Sequence, residues 1–208
     1  ATLLNEAQPN TYTEEEIQKF RDGSDPDNYA DINYVDRLFK KSFSQTAHNL
    51  SIANKTEKTQ YQLSFGYLYQ NGIVEKNNYN RYNVRMNMVN NIARNIKLTT
   101  RIAGMQFIDN QPAPPATLDF DDMVTLIGQI VRYPSYYPAE LSNGDWGQGN
   151  NNAGTPVSFL QSESFYKNKG QELLFNMRGD WDIIKDLKFS VIAGYTYAGN
   201  TSQRFLAN

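Results

Sequence analysis

The chain has no cysteine. That excludes disulfides, thiolate nucleophiles and cysteine-ligated metals. It does not fix a compartment, but it suits a cell-envelope protein. Charge of one sign is also lacking. Twenty Lys and Arg face 22 Asp and Glu, for a net charge of -2, so no broad basic surface advertises nucleic acid. Histidine occurs once, as His48. A lone histidine on the oily side of a strand is more often an interface residue than a base or a ligand, so catalysis has little to stand on. No apolar run approaches the roughly 18 residues that a membrane helix needs. Leucine and alanine are sparse, while tyrosine numbers 14 and asparagine is frequent, a balance that favours β structure over helix bundles. The first residues, ATLLNEAQPN, lack the charged start, apolar core and cleavage site of a signal peptide. The expectation is a segment of a longer chain.

What the sequence does contain is alternation. In TQYQLSFGYLYQNG (59–72), Tyr61, Leu63, Phe65, Tyr67 and Tyr69 fall on every second position. This predicts a strand with one oily face and one small or polar face. The same period begins near Lys41, where His48, Leu50 and Ile52 alternate with Asn49, Ser51 and Ala53. It continues over 80–92, with Tyr82, Val84, Met86, Met88 and Ile92 opposite Asn83, Arg85 and Asn87. After a tight turn at 93–95, Ile96, Leu98, Thr100 and Ile102 oppose Lys97, Thr99 and Arg101. A last pair of strands follows from Phe165. Leu173, Phe175, Met177, Trp181 and Ile183 face one way, and Glu172, Asn176, Arg178, Asp180 and Asp182 the other. Beyond a turn at 184–186 the oily positions are Leu187, Phe189, Val191, Ala193, Tyr195 and Tyr197. The turns IARNIKL (92–98) and IIKDLKF (183–189) share one pattern at an offset of 91 residues, a recurring hairpin type.

Helices are few. TYTEEEIQKFRD (11–22) reads as a short helix with Thr13 as cap, Glu16 completing a capping box and Gly23 ending it. A second helix is expected from Asp119 to Val131, where Asp121 and Asp122 would complement its N-terminus. Residues 24–36 read as a polar loop. The carboxylates of DGSDPDNYAD (22–31) raise the question of calcium, but the central glycine and acidic terminus of an EF-hand loop are missing. No metal and no cofactor is expected.

Alternation alone fits a soluble sandwich or a membrane barrel. Three features favour the barrel. The expected strands are about 11–14 residues long, where ordinary strands run about five or six and a tilted membrane strand needs about 9–11. Short and long connections alternate along the chain, as in outer-membrane barrels. Tyr67, Tyr69, Tyr82, Tyr195 and Tyr197 are expected near the long-loop ends and Trp181 near a tight turn, like two aromatic girdles. A mean hydropathy of -0.65 does not exclude this, because alternating strands average out. The oily face then looks at lipid, and Arg85, Arg101, Arg178, Asp180 and Asp182 face a wet lumen.

The residues also carry a family resemblance. EEIQKFRDGSDP (15–26), Tyr34-Val35-Asp36 to Phe39-Lys40, Gln45-x-x-His48-Asn49-Leu50-Ser51 and Thr56-Glu57-Lys58-Thr59-x-Tyr61 occur in order. Phe65-Gly66-Tyr67-Leu68-x-Gln70-x-Gly72-Ile73 and Tyr79-x-Arg81-Tyr82-Asn83-x-Arg85 follow. Together, over residues 12–107, they resemble the SusC-like (RagA-like) TonB-dependent outer-membrane transporters of Bacteroidetes. One departure is Asn33-Tyr34, where a Trp-containing pair is expected.

The resemblance implies a 22-stranded barrel around an N-terminal plug, import of oligosaccharides or peptides, a SusD-like lipoprotein as lid, and energy supplied through TonB. Plug and TonB box would lie outside this chain. The whole of 1–208 is then a partial barrel domain: an outer loop with a short helix (1–40), four strands (41–107), a long outer loop (108–164) and two strands (165–204). The expected fold is all-β, about six long antiparallel strands of a large transmembrane barrel with short helices in the outer loops. Such a piece has two open edges and an unshielded oily face, so independent stability in water is not expected.

The expected ligand residues lie in RYPSYYPAELSNGDW. Tyr133, Tyr136, Tyr137 and Trp146 offer flat rings, and Asn143, Asp145, Gln148 and Asn150 offer hydrogen-bonding groups, a mixture suited to a glycan or a peptide. Loop packing or contact with the lid is the plainer alternative. Two other readings remain: a soluble all-β carbohydrate-binding module, or a barrel of another kind such as an adhesin or passive porin.

Overall fold

The structure is a computed structural model and describes residue 8 and residues 11–113, 123–149 and 154–207. Six strands pair in chain order into one antiparallel sheet: β1 (Gln45–Lys55), β2 (Thr59–Asn71), β3 (Asn78–Ala93), β4 (Ile96–Pro112), β5 (Phe165–Ile184) and β6 (Leu187–Phe205). The period-two patterns produce it directly, because successive side chains must point to opposite faces. Register keeps the two faces separate. Leu50, Phe65, Val84, Gly104, Leu173 and Tyr197 form one row across all six strands, and Ile52, Leu63, Met86, Ile102, Phe175 and Tyr195 form the next. On the opposite face, Asn49, Gly66, Asn83, Met105, Glu172 and Ala198 line up in the same way. A one-residue slip anywhere would exchange the faces.

The strands differ from expectation in detail. The first starts at Gln45, not near Lys41, and the last two reach 20 and 19 residues. Tyr195 and Tyr197 therefore sit in the middle of β6, well short of its loop end at Phe205. The oily alternation ends at Tyr197, but backbone pairing continues through the polar GNTSQR, so these two rings are not at the loop end where a girdle was expected. The two similar hairpins both carry a register shift just before the turn, at Asn91/Ala93 and Asp182/Ile184. Their turns also touch: the Asp182 N–H donates to the Asn95 carbonyl at 2.9 Å, and Asn95 Nδ2 donates to the Asp182 carbonyl at 3.1 Å.

At the other end of the sheet, three connections fold together. Helix α1 (Glu14–Asp22) begins with the expected capping box: Thr13 Oγ1 accepts from the Glu16 N–H at 3.2 Å, and Glu16 Oε2 accepts from the Thr13 N–H at 2.7 Å. Gly23, at φ 65°, closes it in the left-handed region that favours glycine. Helix α2 (Tyr34–Leu38) replaces part of the expected polar loop, with Asn33 as its cap. Helix α3 (Met123–Arg132) covers most of the expected 119–131 helix; Asp121 and Asp122 lie outside the described residues. Helix α4 (Pro156–Gln161) starts on Thr155 with proline in its first turn, where a missing N–H costs nothing.

The hydrophobic core lies among these loops, not on the sheet. Tyr34, Leu38, Val74, Leu126, Ile130, Val157, Phe159 and Leu160 are buried together. Each fully buried aliphatic side chain contributes about 2 kcal/mol. Among the described residues, no large apolar side chain of any strand is buried; Leu50, Leu63, Phe65, Val84 and Phe189 all stand exposed.

Candidate functional site

Two surfaces carry the chemistry. The first is the loop cluster. Tyr133 ends α3 against the loop core, its ring 5.0 Å from Tyr34 and 5.7 Å from Tyr137. Burial pushes its hydroxyl up to about 12, with Tyr137 beside it adding to the shift. Burial raises Tyr34 as well, and nearby Tyr133 adds while Arg37 partly offsets. The Tyr34 hydroxyl donates to the Tyr137 carbonyl at 2.9 Å. Tyr136 packs 4.6 Å from Tyr137 and keeps an exposed edge. The three loop tyrosines are thus brought together, with Tyr133 mainly packing.

Asn143 and Asp145 bond to one another. Asn143 Nδ2 donates to Asp145 Oδ2 at 2.7 Å, and the Asp145 N–H donates to Asn143 Oδ1 at 3.0 Å. They hold a turn whose arms pair at Glu140 and Trp146. Trp146 opens onto a different cleft of about 280 Å³, shared with Arg37, Lys40, Glu75, Glu140 and Gln161. Arg37 and Glu140 sit 3.8 Å apart there. Asn150 lies outside the described residues. Three acids of 22–31 are engaged in loop structure: Asp22 accepts from the Ser24 N–H, Asp25 accepts from Asn28, and Asp27 Oδ1 reaches the long connection, accepting from the Ser142 N–H and hydroxyl at 2.9 and 2.8 Å. Among the described residues, no three His, Asp or Glu groups converge as a metal site would require.

The second surface is the polar face of the sheet. Arg178 grips Asp180 with Nε and Nη2 at 2.9–3.0 Å, and the Ser190 hydroxyl donates to the same carboxylate at 2.6 Å. That pair is closed on itself. Arg85 and Arg101 lie diagonally across β3 and β4, since Arg85 pairs with Ala103. Arg85 also lines a groove of about 360 Å³ together with Arg81 and Asn83. Arg81 was not among the expected site residues, although its parity with Arg85 marks the same face. His48, on the opposite face, lies near the loop end of β1 and stacks with Tyr67 at 6.2 Å.

A two-faced antiparallel sheet, short turns at one end and a packed loop cluster at the other, is the form of a stretch of β-barrel wall. The comparison with solved structures agrees. The chain superposes on a chain of the RagAB peptide transporter with a TM-score of 0.62 and 20% identity. The RagAB peptide importer in its closed-closed state gives the same values. The match covers 86% of this chain and 20% of each of those chains, so the chain spans about a fifth of their length. No family model matches the sequence, nor does any curated protein. The shared feature is the fold: all-β, six antiparallel strands of a barrel with short helices between them.

Proposed function

We propose that this chain forms part of the wall and outer loops of an outer-membrane nutrient importer that takes up oligosaccharides or peptides. The observation that carries the reading is the pair of continuous apolar rows standing uncovered opposite a polar face. Lipid on one side and water on the other satisfies both faces. A charge turned to lipid at mid-depth costs about 2–4 kcal/mol, which accounts for the segregation. A soluble carbohydrate-binding module would bury one face, and here the core sits in the loops.

The motif resemblance adds the finer parts: TonB as the energy source, a SusD-like lipoprotein lid over the loop cluster, and a plug elsewhere in the protein. The likeness to RagAB chains supports the same direction. The protein acts as a transporter, with no catalytic residue assigned. Tyr136, Tyr137 and Trp146 are the loop residues best placed to meet cargo or lid, while Tyr133, Asn143 and Asp145 hold them in place. Arg85, Arg101, Arg178 and Asp180 face the lumen.

The test is fractionation of the full-length protein from its native cell, then pull-down from the outer membrane in mild detergent. Co-recovery of a SusD-like lipoprotein is the expected result. A full-length protein found only in the soluble fraction contradicts the reading.

A further inference from the structure

The polar face of β1 to β4 holds a groove with an unusual charge balance. Its walls are Asn49, Ser51, Ser64, Arg81, Asn83 and Arg85, and no carboxylate lines it. Arg81 and Arg85 stand four residues apart on one face of β3, about 13 Å along the strand, with Asn83 between them. Both long side chains border the same groove. Neither makes a salt bridge among the described residues, where the four pairs are Lys19–Glu15, Arg37–Glu140, Arg178–Asp180 and Lys188–Asp182. Arg81 Nε is buried without any hydrogen-bond partner. The described residues supply no acceptor to that nitrogen, so the Arg81 guanidinium is not tied up by its neighbours.

The floor of the groove is a glycine flanked by two amides. Gly66 lies between Asn49 and Asn83 in the register. A Cβ there would stand 3.0 Å from Asn49 Oδ1 and 3.5 Å from Asn83 Nδ2, so glycine leaves both amides room at the bottom of the groove. In the row of Asn83 the nearest acid, Glu172, is two strands away, about 10 Å; Asp109, diagonal to Arg81 on β4, accepts from Gln111 Nε2 at 2.7 Å and makes no salt bridge to Arg81. The same face shows what a guanidinium does when a carboxylate is within reach: Arg178 takes Asp180 in a forked contact.

We propose that this groove is a carboxylate-binding subsite for acidic cargo. Arg81 and Arg85 supply forked donors whose geometry matches a carboxylate, Asn83 Nδ2 adds a third donor, and Ser51 and Ser64 complete the wall. Arg101, diagonal to Arg85, extends the positive strip toward the tight turns. The subsite rests on the importer reading, which sets this face against water.

The experiment uses the full-length protein in detergent and two tetrapeptides, one of glutamate only and one of glutamine only. Both are acetylated at the N-terminus and amidated at the C-terminus, so the side chains alone differ in charge. Binding is measured at low and high salt for the natural protein, for Arg81→Gln/Arg85→Gln, and for Ser64→Asp, which gives the groove its own carboxylate. Heat-modifiable migration on a gel confirms that each barrel is folded. The glutamate peptide is expected to bind at least about tenfold more tightly than the glutamine peptide. Salt should weaken that preference, and both variants should bring it within about twofold. If the glutamine peptide binds and the natural protein shows no preference, the subsite is overturned and the importer reading stands. A preference that survives in the variants also overturns it. So does a fall in barrel stability in the variants with the preference unchanged, which would assign the arginines to an acidic segment of the same protein. Binding of neither peptide overturns the subsite as well, and fractionation then judges the importer reading separately.

Discussion

The Tyr34 hydroxyl donates to the carbonyl of Tyr137 at 2.9 Å, across 103 residues of sequence. This bond ties the connection before β1 to the long connection between β4 and β5, and Tyr34 is only 2% exposed. Tyr34→Phe keeps the ring and leaves the Tyr137 carbonyl without this donor. The expected cost to the loop cluster is about 1 kcal/mol. Tyr34→Ala also opens a cavity and should cost about 3–5 kcal/mol. Hydrogen exchange in α3 of the full-length protein reads both effects, with protection falling in that order.

Tyr133 predicts a pH dependence. Its ordinary value is near 10, and burial raises it to about 12 in the folded loops. Below pH 10 both folded and unfolded states keep the proton, and the contribution to stability is complete. Between the two values the unfolded state releases the proton first, so stability is lost as pH rises through the folded value. The loop cluster should become more sensitive to protease from pH 10 upward. In Tyr133→Phe this component of the alkaline loss should vanish. Tyrosinate absorbance should show one late-titrating phenol fewer.

Gly147 is a position where a methyl group has nowhere to go. A Cβ there would meet the Pro138 carbonyl oxygen, and the Gly147 N–H donates to the Ala139 carbonyl at 3.0 Å. Gly147→Ala must separate the arms that place Trp146, at a cost above about 1 kcal/mol. Trp146 emission should shift and the 139–147 turn should become protease-sensitive. Gly179→Ala is the matched control, since its Cβ would make an ordinary 3.4 Å contact with Val191 Cγ1.

Neighbouring residues of β2 separate the two faces energetically. Leu63 lies well inside β2 in an apolar row with its side chain exposed, and Gln62 points the other way. With lipid on the apolar side, Leu63→Lys should destabilise the full-length barrel in vesicles by about 2–4 kcal/mol. Gln62→Lys should stay within about 0.5 kcal/mol. Urea unfolding monitored by tryptophan emission gives both values.

The strands were legible because each repeats its period over 11 or more residues, long enough for alternation to outweigh exceptions such as Leu174 and Ile192 on the polar face. The capping box at Thr13 and Glu16 was legible because it is local. The loop core was not. Tyr34, Val74, Ile130 and Leu160 come from four separate segments, and even where a helix was expected, around Ile130, nothing local says what its apolar side packs against. The groove at Arg81 was hidden for another reason. Asn49, Gly66 and Asn83 are neighbours only through the pairing of three strands, and Gly66 in isolation reads as a weak point in an aromatic strand. The tyrosines of RYPSYY were visible as a cluster, but their division between packing and exposure depends on Tyr34, about a hundred residues earlier.

The most direct test of the two-faced wall uses nitroxide labels placed singly at residues 61 to 66 of the full-length protein, in lipid bilayers. Collision rates with oxygen, which concentrates in lipid, and with a water-soluble nickel chelate are compared at each position. The account predicts alternation: oxygen dominates at 61, 63 and 65, and the nickel chelate at 62, 64 and 66. Uniform access of the nickel chelate to both sets, or the opposite phase, would contradict a lipid-facing row through Leu63 and Phe65.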